Sequence, residues 1–388
     1  MANVEQFVKV GFSINKATSL AIFFSNMGYL CTATIEDFVT GFVLPANKVI
    51  SIATIERLKQ VFKADTQFYK DIETILMQLT NNKPNKSGVN EVIVYVGALG
   101  EGENYGNLVD EMISVNGNFA RLTIDSRNVA NILEAAKKAH VNNRRFIAQT
   151  SSETILNNTD NNILKQLNDL GMSLVDIDIH LDDTEALACA DGAVMTQEIM
   201  GSVDGLYSDF SNVTPKKYTD TQETNMKNLY GSFYTTVTFI DGGSLDNYAQ
   251  KVLLGAYTVT GIDRKSKDIE YYFDKILKAR GLDFLKKKLS YQDSSANVLQ
   301  EMLTRIFIEG QNNNLVIQDS IDDETGEKIY GFRLKVIKPT TLRKTNPTAF
   351  NKQKYQVKGY YFEAKTGREI EINFYVNPDD IEISELGF

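Results

Sequence analysis

The chain contains no tryptophan, and His140 and His180 are its only histidines. Histidine carries much of the acid–base and metal chemistry that proteins run near neutral pH, so enzymes built on it have little to work with here. There is no G-x-S-x-G, no Walker A loop, no H-E-x-x-H and no paired C-x-x-C. Their absence lowers the expectation for hydrolases and metalloenzymes, and no catalytic, cofactor or metal residue is assigned. Cys31 and Cys189 are the only cysteines and lie far apart, so they read as small buried hydrophobes rather than a disulfide. No apolar run is long enough to span a bilayer, and Met1 is not followed by a basic stretch and a hydrophobic signal core. The chain therefore reads as made and kept in the cytoplasm of its host.

What is present is the composition of an ordinary globular protein: 43% hydrophobic, 23% charged and 10% aromatic. With 388 residues it exceeds one typical core, and roughly two or three domains are expected. A net charge of −9 argues against a general nucleic-acid coat, which needs a basic face. Both ends alternate between apolar and polar residues, as a strand with one buried face does. The segments are Val4 to Val10 and Glu369 to Val376, with Ile381-Glu382-Ile383 after an Asn377-Pro378 break. Neither has a strand partner beside it in sequence, and an unpaired strand is a template for joining another chain's sheet.

Between the ends, helices and strands alternate at βαβ spacing. The pattern predicts helices starting at Thr54 and over 66–80, a buried strand over 91–96, and strands over 120–124, 145–149 and 174–179. Helices are predicted over 126–140, 161–170 and 184–200. From Gly231 onward it predicts a strand over 233–240, a short helix over 244–254 and a strand over 257–260. A long helix follows from about 266 to 280, continued to 289, and another over 294–309. The remainder reads as strands over 315–318, 329–337, 355–363 and 370–376, with turns at Thr325-Gly326 and Thr366-Gly367.

Four patterns bear on chemistry or binding. Gly97-Ala98-Leu99-Gly100-Glu101-Gly102 follows a buried strand, but Glu101 and Glu103 put negative charge where a phosphate would sit and no lysine closes the motif. A flexible connection is the better reading. Asp176, Asp178, His180 and Asp182 share one face of a strand; a solvated face is favoured over a cation site. Asp322, Asp323 and Glu324 read as a charged hairpin tip. Lys275, Lys278, Arg280, Lys286, Lys287 and Lys288 form a dense basic stretch on an acidic chain. It reads either as a solvated helix face or as a contact for an acidic protein partner. Nucleic acid fits less well, because no aromatic platform interleaves the charges.

The arrangement resembles a contractile-tail sheath protein of a bacteriophage or a related tail-like particle. Val8-Lys9-Val10-Gly11-Phe12-Ser13-Ile14 resembles the family's opening strand, and 62–69 leading to 92–96 resembles its strand-to-helix step. The segment 261–289 with 294–310 resembles its C-terminal helical pair. The resemblance implies a multidomain α/β (mixed α+β) fold. Its expected parts are an N-terminal strand-exchange arm (1–24), a first α/β part of the outer region (25–96), a variable outward α/β module (97–230), an inner C-terminal domain (231–368) and a C-terminal exchange arm (369–388). It further implies stacked hexameric rings around a tail tube, contraction that drives the tube through the host envelope, and a place in the virion tail. The implied partners are copies of itself, the tube protein, and baseplate and tail terminator proteins, with no cofactor, nucleic acid or membrane insertion. Inter-subunit arm candidates are Phe7, Val8, Val10, Ile370, Ile372, Phe374 and Val376. The resemblance places the C-terminal domain innermost, so Lys275, Lys278, Lys286, Lys287 and Lys288 are the tube-facing candidates. Another tail component or a nucleotide-binding α/β enzyme is the alternative.

Overall fold

A computed structural model describes residues 24–78, 88–100, 103–239, 248–322 and 325–365. Its main feature is one eight-stranded sheet. The strands are β1 (Asn26–Cys31), β2 (Val49–Ile52), β3 (Glu91–Val96), β4 (Arg121–Ile124), β5 (Arg145–Thr150), β6 (Val175–Ile179), β7 (Ser232–Phe239) and β8 (Tyr248–Leu254). They lie in the order β2-β3-β1-β4-β5-β6-β7-β8. The six central strands are parallel, and β2 and β8 close the two edges antiparallel. The sheet thus takes strands from both sides of residues 96 and 230. Strands covered on both faces must be buried throughout, and β1, β4, β5 and β6 are.

Helices α1 (Ile55–Lys59) and α2 (Gln67–Met77) follow β2, and α3 (Tyr105–Val115), α4 (Val129–Val141), α5 (Glu153–Leu156), α6 (Ile163–Asp169), α7 (Leu187–Met195) and α8 (Asp220–Asn228) fill the later crossovers. On one face of the sheet Leu108, Met112, Ile132, Ala136, Leu164 and Met226 pack on Leu122, Phe146, Val175 and Ile177. On the other, Leu58, Ile72, Ile75, Cys189 and Ala193 pack on Met27, Tyr29, Val94 and Ile147. The fold class is therefore mixed α/β in three layers, as expected.

The C-terminal part has its own core. Helices α9 (Arg264–Lys286) and α10 (Asp293–Asn312) precede the hairpin β9 (Ser320–Ile321) and β10 (Lys328–Ile329), then β11 (Phe332–Ile337), α11 (Pro339–Thr345), α12 (Pro347–Asn351) and β12 (Gln356–Tyr361). β11 and β12 form an antiparallel pair. Phe307 stacks between Phe273 and Phe332, with ring centroids 5.0 and 5.2 Å away, and joins α9, α10 and β11.

Local signals placed many ends correctly. The Thr54 side chain accepts from the Arg57 N–H and Thr66 from the Tyr69 N–H, as N-caps do. Four expectations need correction. Residues 248–254 are strand, not helix, because pairing with β7 satisfies their backbone and local helical pattern yields to it. Residues 257–260 make only one bridge, Tyr257 to Asp263, before Gly261 turns the chain at φ 76°. Residues 315–318 likewise make only the bridge Val316 to Glu363. The polar face of β6 is not solvated; it is buried under α7 and α9. β1, α3 and α8 were not anticipated. Gly28 and Asn26 obscure β1 as a strand, yet a Cβ at Gly28 would lie 2.9 Å from the Phe119 ring, so glycine is what lets that ring pack.

Candidate assembly surface and its buried anchor

Seven charged side chains meet beneath α9 with no solvent contact: Arg121, Arg145, Asp176, Asp178, Asp191, Arg264 and Asp268. Period two aims Arg121, Arg145, Asp176 and Asp178 at one sheet face, and the register sets Arg121 beside Arg145. Asp268, one turn into α9, accepts from Arg121 Nη2 at 2.5 Å and Arg145 Nε at 2.6 Å. Asp176 accepts from Arg121 Nη1 at 3.1 Å and Arg145 Nη2 at 2.8 Å. Arg264, the first residue of α9, donates to Asp178 Oδ1 at 2.7 Å and to Asp191 Oδ2 of α7. His180 lies on the same face, its ring nitrogens 3.1 Å from the Asp182 carbonyl and 3.0 Å from that of Thr214. Among the described residues no group of acids, histidines and cysteines could hold a metal ion.

The network holds three guanidiniums against four carboxylates, so full ionisation would leave a buried negative charge. Asp178 Oδ2 and Asp191 Oδ1 have no hydrogen-bond partner. Burial pushes the Asp178 carboxyl up to about 8, with Arg264 opposing and Asp191 reinforcing the rise. Burial raises Asp191 and Asp268 as well. A proton retained on this cluster keeps it neutral.

A nucleotide enzyme of this topology would bind where the strand order reverses, outside the carboxyl ends of β1 and β4. Here that crevice is filled from within. Asp125 Oδ2 accepts from Thr32 N and Oγ1, both at 2.9 Å, and Oδ1 from Tyr105 OH at 2.8 Å. Beside it Asp71 accepts from Arg127 Nη2 at 2.9 Å and Tyr29 OH at 2.8 Å. At the glycine-rich connection, the Gly100 N–H donates to Glu103 Oε2 at 3.0 Å. Carboxylates of the chain itself thus occupy the donors that a phosphate would need.

The basic stretch divides along α9. Lys275 is half-buried, its ammonium 5.1 Å above the Tyr271 ring, and burial pushes it down to about 8. Lys278 pairs with Asp274 at 2.5 Å. Lys286, Lys287 and Lys288 are exposed at the helix end. Sequence reading missed a larger feature. From Lys328 to Phe362 there are nine lysines and arginines and no aspartate or glutamate. Aromatic contacts of Tyr291 with Phe350 and Tyr355, and of Phe284 with Tyr355, bring part of this run to the end of α9. Lys286, Lys287, Lys352 and Lys354 are exposed there. A count of acidic residues in a sliding window would have found the run. The arm candidates Phe7, Val8, Val10, Ile370, Ile372, Phe374 and Val376 lie outside the described residues.

No protein-family model and no curated protein matches the chain. Solved structures do. A chain of the contracted helical sheath of the anti-feeding prophage aligns at TM-score 0.56 and 11% identity, covering 96% of this chain and 100% of its own. A chain of the same particle's baseplate aligns at TM-score 0.57 and 11% identity, over 95% and 98%. The sheath tail protein of Desulfitobacterium hafniense aligns at TM-score 0.52 and 10% identity, over 84% and 93%.

The chain has a tail-sheath-like fold.

In that fold the charge network joins the large sheet to the C-terminal helical pair. Asp268→Ala would strand two buried guanidiniums, so a loss of about 3–5 kcal/mol in unfolding free energy is expected by urea denaturation. The raised Asp178 carboxyl gives a pH test. The folded protein keeps a proton that an unfolded aspartate releases near pH 4. Stability from this group is therefore greatest near pH 4 and declines as pH rises to about 8, by at most about 1.4 kcal/mol per unit. Asp178→Asn, neutral at every pH, should flatten that decline; equal slopes for the two proteins would contradict it.

Proposed function

We propose that this protein is a structural tail sheath subunit that polymerises as stacked hexameric rings around a tail tube and contracts to drive the tube through a host envelope. The observation that carries the reading is likeness along nearly the whole chain to a chain of a contracted helical sheath. A filled switch-point crevice favours a structural over a catalytic role. Under this reading the protein sits in the virion tail after assembly in the host cytoplasm. Its partners are its own copies, the tube protein, and baseplate and terminator proteins, with no role for nucleic acid, cofactor or membrane insertion. Among the described residues no helix is long and apolar enough to cross a membrane. The functional division into arms (1–24 and 369–388), outer parts (25–96 and 97–230) and an inner part (231–368) belongs to the same proposal.

Contraction without loss of integrity needs connections that survive sliding and rotation of the bodies. Terminal strands laddered into neighbouring subunits meet that need, since their backbone bonds move with the subunit they enter. A second reading, as another tail component, draws on the baseplate match. Electron microscopy separates the two: a sheath subunit forms long striated tubes, whereas a baseplate subunit stops at discrete rings.

Deleting residues 1–14, or those from 370 onward, should leave a folded protein that no longer polymerises, as seen by negative-stain microscopy and sedimentation. Tubes formed at the wild-type concentration by either truncation would count against the arms. Lys286, Lys287 and Lys288 are proposed to face the tube. Each exposed ion pair contributes about 0–1 kcal/mol, so single changes should be nearly silent. Reversing all three to glutamate should weaken assembly on the tube and leave the unfolding midpoint unchanged, because weak contacts repeated in every subunit add along a tail.

A further inference from the structure

The turn from α3 to β4 holds the one asparagine in the chain that a glycine follows, in Asn116-Gly117. Asparagine is thermolabile because its side-chain amide carbon is open to attack by the backbone nitrogen of the next residue. Local geometry here favours that attack. Asn116 ends α3 in extended backbone, φ −151° and ψ 93°, and Gly117 brings no side chain to crowd a ring closure. Among the described residues the Gly117 N–H meets no acceptor, so no hydrogen bond holds that nitrogen back. Asn116 Oδ1 accepts from the Asn118 N–H at 3.1 Å, a donor aimed at the oxygen that becomes an oxyanion when the carbon is attacked. Both residues are half-buried, so water reaches them. Asn104, Asn128 and Asn162 cap helices instead, and the bulkier Tyr105, Val129 and Ile163 follow them.

A buried cation lies against the same turn. Arg144, only 8% exposed, donates from Nη2 to the Gly117 carbonyl at 3.0 Å, and its Cζ lies 5.7 Å from the Phe119 ring centroid. Among the described residues it forms no ion pair, and its Nε has no hydrogen-bond partner. A buried charge without a counter-ion is costly. We propose that Asn116 is a self-modification site, which cyclises with Gly117 and hydrolyses to a carboxylate that pairs with Arg144. The Gly117 nitrogen gives its proton to solvent base and bonds to Cγ of Asn116, and ammonia leaves as the cyclic imide closes. Water then adds to one ring carbonyl and breaks that carbon's bond to nitrogen. Opening at Cγ leaves aspartate and opening at the main-chain carbon leaves isoaspartate; in sum, amide and water become carboxylate and ammonium. Position 116 gains a negative charge one residue from the carbonyl that Arg144 already holds. The charge falls at the seam between the sheet and α9, because Tyr271 of α9 donates from its hydroxyl to the Asn143 carbonyl at 2.9 Å.

Peptide mapping by mass spectrometry, after the purified chain is warmed in heavy-oxygen water, reads the site directly. Asn116 should convert before any other asparagine, take up heavy oxygen, and convert faster as pH rises, since the attacking nitrogen must lose its proton. Gly117→Ala should slow conversion by roughly tenfold or more, because a Cβ there would lie 3.0 Å from the Ile113 carbonyl oxygen and crowd the ring closure. An Asn116 that stays intact while other asparagines convert would overturn the site. The pairing is read separately in Asn116→Asp, which carries the product charge. By urea denaturation that change should favour the folded state at least roughly fivefold more with Arg144 present than in Arg144→Gln. An NMR titration of the new carboxyl needs no change at Arg144, and its pKa should lie about one unit or more below that of an ordinary aspartate. Equal effects in the two backgrounds, or an unshifted titration, would overturn the pairing.

Discussion

Seven buried charges from β4, β5, β6, α7 and α9 join parts of the chain that lie far apart in sequence, and the rest of the architecture depends on that joint. Placing guanidiniums and carboxylates out of water is costly, and such clusters are stable only when each member finds its counterpart. Arg121 and Arg145 stand side by side on neighbouring strands, so each would repel the other without a carboxylate above and beside them. Asp268 and Asp176 supply these from opposite directions. An apolar contact would let α9 slide along the sheet at modest cost. A charge cluster with one satisfactory arrangement does not.

That fixed seating gives the C-terminal unit a defined position relative to the large sheet. The network sits at the junction between the two parts, where the shape of the body could otherwise be lost. The odd carboxylate adds a proton to the structure. Burial and unpartnered oxygens on Asp178 and Asp191 make neutrality the lower-energy state, so the junction is tied to pH through one titration.

Charge is divided unevenly over the surface as well. An acidic chain sets nine basic residues without an intervening acid into its C-terminal unit. Opposite signs on separate parts of one molecule favour head-to-tail contacts between copies, which build open polymers when the rotation does not close.

Much of the fold was legible in the sequence, because periodicity and capping act locally. Continuous apolar runs marked β3, Thr54 and Thr66 announced α1 and α2, and the long period-3.6 pattern announced α9 and α10. β8 was not legible, since its strand state comes from β7 rather than from its own residues. The Asp176–Asp178–His180 alternation was visible but ambiguous: one polar face looks the same whether water or arginine lies above it. Only the tertiary structure decided, by carrying Arg264 and Asp268 onto a sheet face some hundred residues away in sequence. The placing of Arg144 against Gly117 is of the same kind, for residue types are written in the chain but a contact between distant segments is not. What the sequence determined alone were local states and total charge; which charges meet was decided by the pairing of distant segments, where non-local contacts outweigh local preference.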